Sequence, residues 1–287
     1  MNKRALVASG GGSKGSHQIG TIKALLEARG GYDVVCGCSV GALNSAFLAQ
    51  HNPEDQLRAI SELENIWLDL GGDGVIFKNH APGFLTYLWS LWKGGVRDMS
   101  PLQGLIKKKL DHKKLIESKT DLMVGVVSLN SGKYKVVNKY NNSIVDYIWA
   151  SCVFPILFSP VKIDDEMWVD GGIRHQIPLQ DVLRLEDIVE IDIVLTSPQT
   201  GHIHDFMLNE RFGSILNVAT RGAGILSSEI FEKGAVVYVP HDRKIKINLW
   251  EPSNEVNKNS FSFDKEEIKQ NIERGYRETK EKLERND

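Results

Sequence analysis

No stretch of this 287-residue chain approaches the roughly 20 consecutive apolar residues that a bilayer-spanning helix needs. The amino terminus, MNKRALVASGGG, puts two basic residues ahead of an apolar run, but that run ends after a few residues, too short for the core of a signal peptide. Cysteine is scarce. Cys36, Cys38 and Cys152 are odd in number and sit in apolar segments without a spaced framework, which excludes a disulfide scaffold and predicts buried, reduced thiols in an intracellular, cytoplasmic setting. They also lack partners at metal-ligand spacing, so no metal site is expected. Surplus charge is missing too: 35 Lys and Arg stand against 37 Asp and Glu, a formal net charge of -2. Without a basic excess to neutralise phosphate backbones, nucleic acid is not the expected partner, although a local basic patch is compatible with that balance. There is no internal repeat, low-complexity tract or linker, and nothing that reports on oligomeric state.

What remains is an ordinary globular composition, 41% hydrophobic and 25% charged, in a chain long enough to bury a sizeable core. Arg4 to Ser9 is a compact apolar run that meets a glycine cluster. The following SHQIGTIKALLEARGG has helical spacing at Ile19, Ile22, Leu25 and Leu26 and stops at Gly30-Gly31. YDVVCGCS and VGALNSAFLAQ repeat the pattern. Two consecutive strand, turn and helix units predict parallel strands joined by right-handed crossovers, with ligands bound beyond the carboxyl ends of the strands. A further helix is expected over Pro53 to Leu70, and more strands at Leu122–Leu129, Tyr134–Val137, Val161–Ile163, Met167–Asp170 and Ile191–Leu195. Helices are expected at Ser143–Ser151 and Asp264–Asp287, the last a solvated helix docked by a narrow stripe of Ile268, Ile272, Tyr276 and Leu283.

Four readings of the glycine turn Gly10-Gly11-Gly12-Ser13-Lys14-Gly15 can be weighed. As a dinucleotide fingerprint it wants an acidic residue at the end of the second strand, where Ser39 stands instead, with Asp33 at the strand's start. As a P-loop it fails, because Lys14 is preceded by Ser13 and followed by Gly15. A plain packing turn is always available. The fourth reading is that successive glycines expose backbone N–H groups at a helix amino end, where they could hold the oxyanion of a tetrahedral acyl intermediate.

That fourth reading draws its force from a nucleophile candidate one strand away. Gly37, Ser39 and Gly41 form G-x-S-x-G between a strand and a helix, the setting of a nucleophile elbow. A serine needs a base, and the histidine most often used is not evident. Of His17, His51, His80, His112, His175, His202, His204 and His241, only His202 and His204 follow a strand end as a triad histidine would. The other candidate is Asp170 in WVDGGIRHQIP, at the end of a short strand and presented by Gly171-Gly172. Its ordinary pKa of about 3.9 makes a poor base, and a desolvated pocket would raise it. The same motif could be a turn in which Asp satisfies local N–H groups.

Together, GGGSKG, GCSVG and the segment ASCVFPILFSPVKIDDEMWVDGGIRHQIP, Ala150 to Pro178, resemble the patatin-like phospholipase family. The resemblance spans most of the first 180 residues. It implies a three-layer α/β fold with a central, mostly parallel sheet and helices on both faces. It further implies one domain over 1–287, with a motif-bearing core at about 4–183 and with 184–287 supplying C-terminal strands and helices that complete or extend it. By the same resemblance Ser39 is the nucleophile and Asp170 the base of a Ser-Asp dyad, and Gly10, Gly11 and Gly12 supply the oxyanion hole. Lys14 takes the family's basic position, with Gly15, Gly37, Gly41, Gly171 and Gly172 supporting the motifs. Two departures are Gln176, where many relatives have Asn, and Ser9, where an acidic residue is often seen. The implied activity is that of a phospholipase A-type lipid acyl hydrolase without metal or organic cofactor. Its substrate would be a phospholipid or another acyl lipid. A thioesterase, acyltransferase or peptidase using the same elbow, or a noncatalytic phosphate-binding module, are the competing classes. The aromatic run Phe84 to Trp92 reads either as a lid that contacts a membrane peripherally or as a helix packed on the core.

Overall fold

Strand β1 (Lys3–Ala8) pairs in parallel with β2 (Val34–Gly37) on one side and β7 (Ile188–Val194) on the other. This computed structural model describes residues 2–71, 76, 98–199, 218, 222, 225–226, 229–230, 244–257 and 260–286. The expected aromatic segment Phe84–Trp92 lies outside them, as do His80, His202, His204 and His241. The remaining strands are β3 (Asp121–Ser128), β4 (Tyr134–Asn138), β5 (Val161–Ile163), β6 (Glu166–Asp170) and β8 (Lys246–Trp250). They complete an eight-stranded sheet of order β5-β6-β3-β2-β1-β7-β8, with β4 also on β3. The run from β3 to β8 is parallel, whereas β4, β5 and β6 pair antiparallel. This is the mostly parallel α/β sheet that the repeated strand-turn-helix units predict.

Successive strand residues serve opposite faces, as the two-residue period requires. Leu6 and Val35 pack with Ile19, Ile22 and Leu25 of α1 (Gly15–Arg29) and with residues of α2 (Val40–Ala49) and α3 (Gln56–Leu70). Ala5, Val7, Val34, Cys36, Ile191 and Ile193 point the other way, onto Leu179, Val182 and Leu183 of a short helix, α7 (Leu179–Leu183). Four more helices are described: α4 (Ser100–Lys109), α5 (His112–Glu117), α6 (Ile144–Ser151) and the carboxyl-terminal α8 (Lys265–Asn286). Helix α8 lies along α1 so closely that a Cβ on Gly20 would strike the Ile272 carbonyl, and one on Gly275 the His17 carbonyl. Ile268, Ile272 and Leu283 form its buried stripe, while Tyr276 stays partly exposed and hydrogen-bonds to Glu27 at 2.8 Å.

Strand β3 acts as a ruler that brings distant residues together. β2 pairs with its first half, ending at Gly37 opposite Val124, and β6 pairs with its second half, with Asp170 opposite Val126. Because β4 holds the opposite edge of β3, β2 and β6 share one edge and run toward each other. Asp170, the last residue of β6, therefore arrives two residues, roughly 7 Å of strand, from the end of β2.

Candidate active site

Ser39 occupies the turn between β2 and α2 with φ 55° and ψ −129°, a left-handed conformation that side chains rarely adopt. Such strain persists only where the surroundings hold it. Here the Ser39 N–H donates to Ser151 Oγ at 2.9 Å, and that hydroxyl donates in turn to the Gly125 carbonyl at 2.8 Å. Gly41 N–H closes the turn onto the Cys38 carbonyl at 2.9 Å. The flanking glycines are there for space: a Cβ on Gly37 would strike the Gly41 and Ala42 backbone, and one on Gly41 the Ala8 carbonyl. Gly15 and Gly171 are equally confined, against Val40 and the Gly125 backbone.

Asp170 is 3% exposed, and its N–H is held by the Val153 carbonyl at 2.9 Å. Its Oδ1 accepts from the Gly172 N–H at 2.7 Å and from the Cys38 thiol at 3.4 Å, and the Ser39 side chain lies close enough to the same carboxyl group to lower its pKa. Burial pushes its pKa up from the ordinary carboxylate value to about 6, and Gly172, Ser39 and Cys38 hold it from rising further. Cys38, expected from the sequence only as a buried, reduced thiol, thus touches the acid directly. Burial first, and then the neighbouring Asp170 charge, push its own pKa well above the usual thiol range, so it stays a protonated donor.

The glycine loop runs against Ser39: a Cβ on Gly10 would lie 3.2 Å from Ser39 Cβ. Its three glycines differ in what their N–H groups do. Gly10 donates to the Gln176 carbonyl at 3.1 Å, which removes it from the set of open donors in this conformation. Gly11 and Gly12 have φ of 154° and 60°, and among the described residues no acceptor takes either N–H. The Thr196 hydroxyl bonds to the Gly10 carbonyl and lies where a Gly11 side chain would be. Lys14 is buried, donating to Ser197 Oγ at 3.1 Å and to Glu255 Oε2 at 2.8 Å. Burial lowers its pKa and Glu255 works against that shift. It ties the loop to the segment after β7 and to the one before α8.

Ser39, Asp170 and the three loop glycines line a cavity of about 160 Å³, and Leu63, Trp67, Leu102, Ile106, Phe154 and Phe158 contribute to its apolar wall. An engineered dry cavity of about 150 Å³ accommodates benzene, so this space takes a comparable length of hydrocarbon. Among the described residues no histidine lines it. His17 is paired with Glu278 at 3.2 Å, and His175 packs its ring edge against Tyr134. Among the described residues no group of three His, Cys, Asp or Glu is arranged to hold a metal ion, and no helix is long and apolar enough to cross a membrane.

The patatin-like phospholipase family profile matches residues 6–183, and the chain belongs to that family. It is 24% identical over 244 residues to triacylglycerol lipase SDP1L of Arabidopsis thaliana, covering 73% of this chain and 29% of that protein. It is 23% identical over 233 residues to triacylglycerol lipase ptl3 of Schizosaccharomyces pombe, covering 71% and 46%. The chain therefore spans less than half the length of either relative. Among solved structures, VipD from Legionella pneumophila superposes with a TM-score of 0.47 at 15% identity, over 99% of this chain and 67% of that one.

Proposed function

We propose that this protein is a lipid acyl hydrolase of phospholipase A type, working through an acyl-enzyme on Ser39. The observation that carries the reading is the Ser39 side chain set against a buried carboxyl group whose pKa is raised to about 6, both in the lining of a largely apolar cavity. At neutral pH such a carboxylate is ionised yet basic enough to accept a proton. Asp170 takes the Ser39 hydroxyl proton as Oγ attacks the ester carbonyl carbon. The oxyanion is held by the Gly11 and Gly12 N–H groups, each such donor typically worth about 10² to 10³ in rate. The intermediate collapses, the C–O bond breaks, and Asp170 passes its proton to the leaving alcohol or lysolipid. Water then gives a proton to Asp170 as its oxygen attacks the acyl-enzyme, and the fatty acid leaves with Ser39 restored. Gly10 gives the loop its close approach, and Ser151 and Cys38 position the two reacting groups. The same reading treats 1–287 as one domain, since β7 and β8 extend the sheet and α8 packs on α1.

The Arabidopsis and fission-yeast relatives are both named for triacylglycerol, which supports a neutral acylglycerol as the second substrate class. The test offers the purified protein a phospholipid, a triacylglycerol and an acyl thioester, and repeats the assay with Ser39→Ala and Asp170→Asn. The reading expects ester hydrolysis and its loss in both variants, by about 10² to 10⁴-fold for removal of the base. Near-parental turnover by Asp170→Asn, or abolition of turnover by a histidine substitution alone, would overturn the dyad. Preference for the thioester would move the protein to a thioesterase.

A further inference from the structure

Helix α4 contributes to the cavity and to the surface at once. Leu102 and Ile106 are buried and, with Leu105 and Leu110, form part of the cavity wall. Lys107, Lys108 and Lys109 then follow exposed at its end, and Lys113 and Lys114 are exposed on α5, with only Leu110 and Asp111 between the two helices. Residues 107–114 thus hold five lysines and one acid, in a chain whose formal net charge is -2. That acid, Asp111, caps α5 by accepting from the Lys113 N–H at 2.8 Å. Glu117 lies 3.8 Å from the Lys113 ammonium.

Lysines in the last turn of α4 also complement the negative end of a helix, which is reason enough for Lys107 to Lys109. It does not explain Lys113, which sits in the first turn of α5, where a cation opposes the helix dipole. The position of the patch is the second observation. Among the described residues that line the cavity, Lys109 is the only exposed one, so the basic run and the cavity lining meet at this residue.

We propose that this lysine corner docks the protein on an anionic phospholipid surface, with the cavity-lining Lys109 turned toward the lipid. Charge complementarity supplies the attraction, and each lysine near such a surface is worth roughly fivefold in binding. Binding does not depend on the catalytic reading, but delivery of an acyl chain from the lipid to Ser39 rests on it.

The test uses the full chain with Ser39→Ala, so that vesicles stay intact, and measures co-sedimentation with phosphatidylcholine vesicles with or without phosphatidylserine. Binding is expected to require phosphatidylserine and to weaken with added salt. Substituting Lys107, Lys108, Lys113 and Lys114 together by Gln, and leaving the cavity-lining Lys109 in place, is expected to weaken it by on the order of 10² to 10³-fold. The matching fourfold Arg variant keeps the charge and binds like the parent. Undiminished binding by the Gln variant, equal loss in the Arg variant, binding indifferent to phosphatidylserine, or tighter retention by duplex DNA than by the vesicles would each overturn the proposal. With Ser39 present, turnover of a soluble monomeric ester by the Gln variant reports separately on the site. If the parent itself turns over no ester, the catalytic reading fails while the vesicle result stands.

Discussion

Replacing Asp170 by Asn should abolish activity and, at the same time, stabilise the protein in a pH-dependent way. The carboxyl group is buried and its pKa is raised from 3.8 to about 6, mainly by desolvation. In the folded state the acid therefore holds its proton over a range in which the unfolded chain has already lost it. Stability contributed by the protonated form is complete below the unfolded pKa and is lost as pH rises through the folded one. The shift of about two units corresponds to about 3 kcal/mol between pH 3 and pH 8. Asn resembles the neutral acid in shape and can still accept from the Gly172 N–H, but it has no charge to desolvate. The variant's advantage over the parent should thus grow from pH 4 to pH 7 and then level off, reaching roughly 5 °C in Tm for a chain of this size. Thermal unfolding of both proteins across that pH range measures it, with kcat/KM in parallel. Parental kcat/KM should rise with pH through about 6, because the base works only when ionised. A Tm difference that is flat across pH, or that falls as pH rises, would refute the assignment of a desolvated carboxylate at this position.

Two further substitutions probe what surrounds the acid and what holds the fold. In Cys38→Ala the carboxylate loses its thiol donor, so its pKa rises and the acid limb of kcat/KM should move to higher pH by a fraction of a unit. Cys38→Ser should reverse most of that displacement, and a limb that stays in place in both would remove Cys38 from the site. Gly20→Ala puts a methyl group into the Ile272 carbonyl across the α1–α8 contact. Overpacking of about 1–3 kcal/mol, at its upper end against backbone, should outweigh a helix-propensity gain of roughly 1 kcal/mol and leave a net loss of about 2 kcal/mol in chemical denaturation. Gly104→Ala on α4 has nothing within 4 Å of the new Cβ and should stabilise by up to about 1 kcal/mol, so equal effects at the two sites would contradict the packing described.

The elements most legible in the sequence are those written in local patterns. β1, α1, β2 and α2 follow from apolar runs, helical spacing and glycine stops, and the stripe of Ile268, Ile272 and Leu283 announces the buried face of α8. The strained turn at Ser39 is legible too, since G-x-S-x-G between a strand and a helix leaves few other shapes. Helices α4 and α5 carry short apolar stripes broken by Gly104 and by the lysine run, and β8 is only five residues long, so none of the three stands out.

Local motifs supply the residue types that this protein has available for chemistry: a serine on an elbow, a glycine loop one strand away, and an aspartate followed by two glycines. What these groups do to one another follows from the way the chain folds. Antiparallel β6 delivers Asp170 to the end of β2, bringing its carboxylate to the thiol of Cys38, 132 residues away, and to the side chain of Ser39. Packing around that meeting point excludes water, which raises the carboxyl pKa. The same packing commits the Gly10 N–H to Gln176 while Gly11 and Gly12 keep theirs free of any acceptor among the described residues. Spacing along a chain encodes turns and periods, whereas desolvation and the assignment of hydrogen bonds depend on which distant segments the sheet aligns.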